Sequence, residues 1–152
     1  MTDKSTWGPG PWQDEPDRLE WRYKGLPCLM RRSPVSGSWC GYVAVPPGHP
    51  WHGKSWHGDD FPEIEVHGGV TFSGACEGDV CHKPEPGEPD DVWWQGFDCN
   101  HAYDVCPLVV AMARRHGFPE FGMDKYGTYR DVAFVRQEVQ SLAEQALAVA
   151  TK

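Results

Sequence analysis

The stretch Tyr129 to Ala150, YRDVAFVRQEVQSLAEQALAVA, decides the fold. Val132, Val135, Val139, Leu142, Ala146 and Val149 recur along it at alternating steps of three and four, which places them on one face of a long amphipathic helix. Thr128 and Asp131 have the spacing of a capping box, with Asp in place of the usual Glu, so the helix is expected to start near Tyr129. A face that apolar has to be covered, either by a sheet of the same chain or by a second chain, which leaves a homo-oligomer open.

The rest of the chain supplies the sheet. LEWRYKG (19–25), PCLMRRS (27–33) and SWCGYVAVP (38–46) are short aromatic and apolar runs separated by turn residues, and they predict three antiparallel strands. EIEVHGGVTFS (63–73) predicts another strand, with Ile64 and Val66 facing inward and a bend at Gly68-Gly69. VWWQGFD (92–98) predicts a strand apolar on both faces. A second, short helix is expected from Pro107, which suits a first helical turn, through LVVAMARRH to a left-handed stop at Gly117. The sum is one α+β domain over residues 19–150: a small, mostly antiparallel sheet packed by the long C-terminal helix and the short one. Residues 1–18, rich in Gly, Pro and polar groups, read as a flexible lead-in whose Trp7 and Trp12 are available to dock on the body. GHPWHGKSWHGDD (48–60) reads as a surface loop, and GACEGDVCHKPEPGEPDD (74–91) as a loop with little fixed structure.

With 152 residues and 39% apolar content the chain can build its own core. No apolar run approaches the roughly 18 residues of a membrane span, and the N-terminus lacks the order of a secretory signal, so a soluble, intracellular protein is expected. A net charge of −8 with scattered Lys and Arg argues against broad nucleic-acid binding. A small anion is still admissible, because the local pair Arg31 and Arg32 can hold one. In an intracellular chain the six cysteines are expected as free thiols or metal ligands rather than disulfides.

Two groups of residues can carry chemistry. Where strand 92–98 hands over to the helix at Pro107, WWQGFDCNHAYD (93–104) gathers Asp98, Asn100, His101 and Asp104 at a sheet rim. His67 precedes two glycines that let another group approach the backbone closely. His67 and His101 suit an acid and base pair, or a metal site with Asp98 or Asp104 in the two-histidine, one-carboxylate arrangement. Against this stands a plain structural reading, in which Asp104 caps the helix and His101 satisfies buried backbone groups. Cys76, Cys81 and His82 form the second group, a candidate zinc set whose spacing matches no established zinc signature. Trp51, Trp56, Trp93 and Trp94 offer faces for stacking a base or ring, with at least one of Trp93 and Trp94 expected in the core. The Walker loop, GxGxxG, GxSxG and HExxH patterns are missing, which removes the large enzyme classes they mark.

In GYVAVPPGHPWHG (41–53), VHGGVTFSG (66–74), WWQGFDCNHAYD and YRDVAFVRQEVQSLAEQ (129–145) the chain resembles a family of small phage- and prophage-encoded proteins. The resemblance runs from about Leu19 to Gln145. His67, Gly68, Gly69, Thr71, Asp98, Cys99, His101 and Asp104 match its motif positions, while ACEGDVCHKPEPGEP looks like a variable insert. No activity comes with the resemblance. It implies an accessory protein in the cytoplasm of an infected bacterial host. The expected function is binding of a small host-derived ligand, nucleotide or nucleotide-like, in counter-defence or host takeover. His67, Gly68, Gly69, Thr71, Trp94, Asp98, His101 and Asp104 would form its pocket. The alternatives are a hydrolase using zinc or another divalent metal at the same His/Asp cluster, and a protein-binding factor acting through the C-terminal helix.

Overall fold

The computed structural model describes residues 2–118 and 127–150. Five strands form one antiparallel sheet: β1 (Arg18–Tyr23), β2 (Leu26–Arg32), β3 (Trp39–Val45), β4 (Phe72–Ala75) and β5 (Trp93–Asp98). Their spatial order is β1-β2-β3-β5-β4. A meander thus runs through β3, and after a long excursion the chain returns as a hairpin-like pair with β5 inserted beside β3. Two helices follow, α1 (Pro107–Arg115) and α2 (Val132–Ala150), so the fold is α+β as the sequence predicts.

Helix α2 lies across one face of the sheet. Its Val135, Val139, Leu142 and Ala146 are fully buried against Cys28, Met30, Trp39, Val43, Val45 and Phe97. Because β3 carries Gly41 at the crossing, the helix comes close: a Cβ there would sit 2.6 Å from Val139 Cγ2. The apolar face of α2 is therefore buried on the sheet of its own chain. The helix begins three residues later than its capping-box spacing suggests. Asp131 is itself the cap, accepting from Phe134 N–H at 2.9 Å, and Glu15 accepts the Val132 N–H at 2.8 Å. Thr128 is drawn instead into a parallel bridge with Asp104.

The opposite face is covered by the segment expected to have little fixed structure. Val80 and Val92 bury against Leu29, Tyr42, Ala44 and Trp94. Arg18 donates to the Asp79 and Cys81 carbonyls, and Arg22 to the Lys83 carbonyl and Glu88 carboxylate. This second cover explains why β2 and β3 are apolar on both sides rather than alternating. Two further expectations change. In 48–60, Trp51 is 1% exposed, and His49 bridges the Trp51 N–H and the Ala146 carbonyl, anchoring the loop on α2. Residues 63–66 are not a strand, because helix side chains take the place of a neighbouring strand. Gln145 accepts from Glu65 N–H and donates to the Glu65 carbonyl, while Ile64 and Val66 still pack inward.

Residues 2–17, read from composition as a lead-in, are docked. Trp7 and Trp12 are buried with Val105, Val110 and Ala111. Arg32, whose side chain is wholly buried, ties this segment down through Asp17 at 2.9 Å and Glu15 at 3.2 Å, with its guanidinium over the Trp39 ring. No helix among the described residues is long and apolar enough to cross a membrane.

Candidate metal centre at the sheet rim

Three separate segments meet beyond the end of β5. The first is a turn at Val66–Gly69, closed by Gly69 N–H to the Val66 carbonyl, with both glycines at positive φ. Its His67 N–H is taken by Glu138 of α2, which fixes the ring's origin. The second is the tight turn His101–Asp104. Asp104 N–H donates to the His101 carbonyl, and the Asp104 carboxylate reaches back to accept the His101 N–H at 3.1 Å. The third is the strand-like residue Thr128, whose backbone pairs with Tyr103 and Val105 and delivers Arg130 to the site.

The side chains converge on Asp104, which is 3% exposed. His67 Nε2 lies 3.0 and 2.9 Å from its two oxygens, and His101 Nδ1 is 3.3 Å from Oδ2. Arg130 Nε donates to Oδ1 at 2.9 Å. Burial works against the charged carboxylate, but the bonds from His67, Arg130 and the His101 backbone outweigh it and hold Asp104 below the usual carboxylate range. The far nitrogen of His101, Nε2, is 3.5 Å from Asp98 Oδ1. Asp98 is in turn held by Thr71 Oγ1–H at 2.9 Å and Asn100 N–H at 3.0 Å. The His67 and His101 rings meet edge to face at 5.5 Å, and Phe134 backs His67 from the other side at 5.3 Å. Gly68 makes this approach feasible, since a Cβ on it would fall 2.1 Å from His101 Cε1.

His67, His101 and Asp104 present ligand atoms that all lie within 4.8 Å of one another. Metal bonds of roughly 2.0–2.2 Å to nitrogen and oxygen put neighbouring donors about 2.8–3.6 Å apart, from octahedral to tetrahedral angles. The 2.9 Å and 3.3 Å separations from Asp104 Oδ2 to His67 Nε2 and His101 Nδ1 fit that requirement. The surroundings fit as well. Arg130 occupies only the other oxygen of Asp104, and Asp98 stands behind His101 as outer carboxylates stand behind metal-bound imidazoles. Two carboxylates against one guanidinium leave the group attractive to a cation.

Several sequence-predicted site residues fall elsewhere. Asp104 does not cap α1: the N-cap is Cys106, without a side-chain cap bond. Cys76 and Cys81 are joined in a disulfide, so the zinc set with His82 is replaced by a cross-link. His82 packs edge-on against Trp94 instead, at 5.6 Å. Trp94 is fully buried in the sheet and presents no face for stacking, and Trp51 is buried too; only Trp56 of the four is well exposed. In the 48–60 loop, His52 pairs with the Asp91 carbonyl and His57 with the Ser55 hydroxyl. Gly69 shapes the turn with nothing near its Cβ position. Arg130, Phe134 and Glu138 belong to the site but carry no sign of it in sequence, where they read as ordinary positions around a helix start.

No protein-family model matches this sequence, and no curated protein and no solved structure is significantly similar to it. The functional reading therefore stands on the site itself.

Proposed function

We propose that the protein is a divalent-metal-dependent hydrolase acting on a small phosphoester, with His67, His101 and Asp104 as the metal ligands. The observation that carries this reading is the convergence of His67 Nε2, His101 Nδ1 and Asp104 Oδ2 from two distant segments at metal-ligand separations. Three protein donors leave coordination positions for water and substrate, the arrangement of catalytic rather than structural sites. The His67 and His101 side chains are 17% and 30% exposed, so the cluster is reached from solvent. A divalent metal held by His67, His101 and Asp104 would supply Lewis acidity toward a phosphoryl oxygen and would ease the deprotonation of water at neutral pH. Asp98 stands 3.5 Å from the far nitrogen of His101, and Arg130 fixes the orientation of the Asp104 carboxylate.

The resemblance to phage and prophage proteins extends the proposal to an accessory role in an infected bacterial cell, with a nucleotide-like host molecule as the substrate. The test is metal analysis of the purified chain, followed by turnover of bis(p-nitrophenyl) phosphate. One metal per chain, lost together with turnover in His67→Ala and His101→Ala, is the expected result. A chain that takes up no divalent metal overturns the reading. A chain that binds metal and turns nothing over keeps the centre and loses the hydrolase.

A further inference from the structure

We propose that a cavity on the outer face of the sheet, between Arg31 and Asp98, receives the anionic phosphate of the small phosphoester. The identity of this ligand rests on the function proposed above; the pocket itself does not. The cavity measures about 230 Å³, and Arg31, Ser33, Tyr42, Phe72, Asp98 and Asn100 are among its walls.

Arg31 and Arg32 are consecutive on β2, so they point to opposite faces of the sheet. Arg32 goes inward and is saturated by Asp17, Glu15, the Gly37 carbonyl and the Tyr129 hydroxyl. Arg31 goes outward and is not. Its Nε is buried without a hydrogen-bond partner among the described residues, and its ion pair, to the 80% exposed Asp79, spans 4.0 Å. A buried guanidinium donor left without an acceptor is costly, and an anion that presents two oxygens side by side, as a phosphate does, is the partner its fork fits.

The surroundings suit that partner. Tyr42 lies flat across Gly96, where a Cβ would come within 2.2 Å of Cδ1, so its ring forms a floor beside Arg31. Tyr42 and Arg31 line the same cavity. The far wall is Asp98, the carboxylate that stands 3.5 Å from His101 Nε2, so cavity and metal centre share a side chain. Both Asp98 oxygens are already engaged by Thr71 and Asn100, which directs an incoming anion to the Arg31 end. Ordinary ligand pockets run to roughly 300–1,000 Å³. This one is smaller and takes an acidic head group, not a whole nucleotide.

The experiment uses the full chain, stripped of metal with a chelator, and inorganic phosphate as the probe in calorimetry. Saturable one-to-one binding is expected, weakened at least about tenfold in Arg31→Gln and unchanged in Arg115→Gln, an exposed cation of α1 that does not line the cavity. Arg31→Lys, which keeps the charge but loses the fork, falls between the two and covers the case in which Arg31→Gln does not fold. No saturable binding, or equal weakening in Arg31→Gln and Arg115→Gln, overturns the inference. Metal uptake by the same preparations separates the two claims. Metal without phosphate binding sinks the pocket alone, and phosphate binding without metal uptake sinks the metal centre alone.

Discussion

The imidazole of His101 occupies the space that a side chain on Gly68 would need, with Cε1 2.1 Å from where that Cβ would be. Thirty-three residues of sequence separate them, yet the turn that carries His67 and the turn that carries His101 are in van der Waals contact only because one of them has no side chain. Gly68 also holds φ at +70°, so it meets two demands at once. Its neighbour Gly69, at φ +82° with nothing within 4 Å, meets only one.

That contrast predicts a split. Gly69→Ala should cost about 1 kcal/mol through its left-handed backbone alone and leave metal affinity nearly unchanged. Gly68→Ala should lower stability further and weaken metal binding at least about tenfold, because the His101 ring must move. Parallel denaturant melts and metal titrations of the two variants check this; equal effects would mean that the ring contact is incidental.

Asp104→Asn should be the most damaging single change at the site. The amide cannot accept from His67, His101 and Arg130 as the carboxylate does, and hydrogen bonds to a charged group are worth about 1.5–3 kcal/mol. Loss of metal together with a stability loss of that order is expected in a melt and a metal assay. A stable variant that still binds metal would remove Asp104 from the ligand set.

Acid should release the N-terminal segment. Burial disfavours the charged form of Asp17, but the bonds from Lys4, the Thr2 N–H and Arg32 bring its pKa down from 3.8 to about 2. Because the folded value is the lower one, Asp17 contributes its full stabilisation above pH 3.8 and loses it as pH falls towards 2. The difference in melting temperature between the native chain and Asp17→Asn should be constant near neutrality and shrink towards zero at about pH 2. A difference that persists undiminished at pH 2 would show that the latch does not depend on this charge.

The Cys76–Cys81 cross-link predicts sensitivity to reductant rather than to chelator. Closing so short a loop stabilises by roughly 2 kcal/mol, and the loop carries Val80, which covers the outer face of the sheet. Cys76→Ser with Cys81→Ser, or reduction of the native chain, should lower the melting temperature, while metal uptake at His67 and His101 persists. Zinc lost with those two cysteines would restore them as ligands.

Periodicity alone was enough for the elements whose apolar residues repeat. The face Val135, Val139, Leu142 and Ala146 of α2 is readable from spacing, because burying a side-chain stripe imposes the period of the backbone that carries it, whereas β1 to β3 and β5 are readable as short apolar runs bounded by turn residues and the start of α1 from the fit of Pro107 to a first helical turn. The rim histidines and aspartates were readable as residue types, with a glycine pair signalling close approach. What spacing could not convey is pairing between distant segments. Asp104 has the look of a helix cap, and only the parallel bridge to Thr128, which brings Arg130 to its carboxylate, turns it into the centre of the site. Arg31 and Arg32 are indistinguishable in sequence; β2 sends one to an ion-pair cage and the other to an open cavity. Cys76 and Cys81 become a cross-link because a tight turn at Glu77–Val80 brings them together. Local spacing determines which face a residue takes, whereas the partner it meets there depends on contacts closed across the whole chain, which no local pattern encodes.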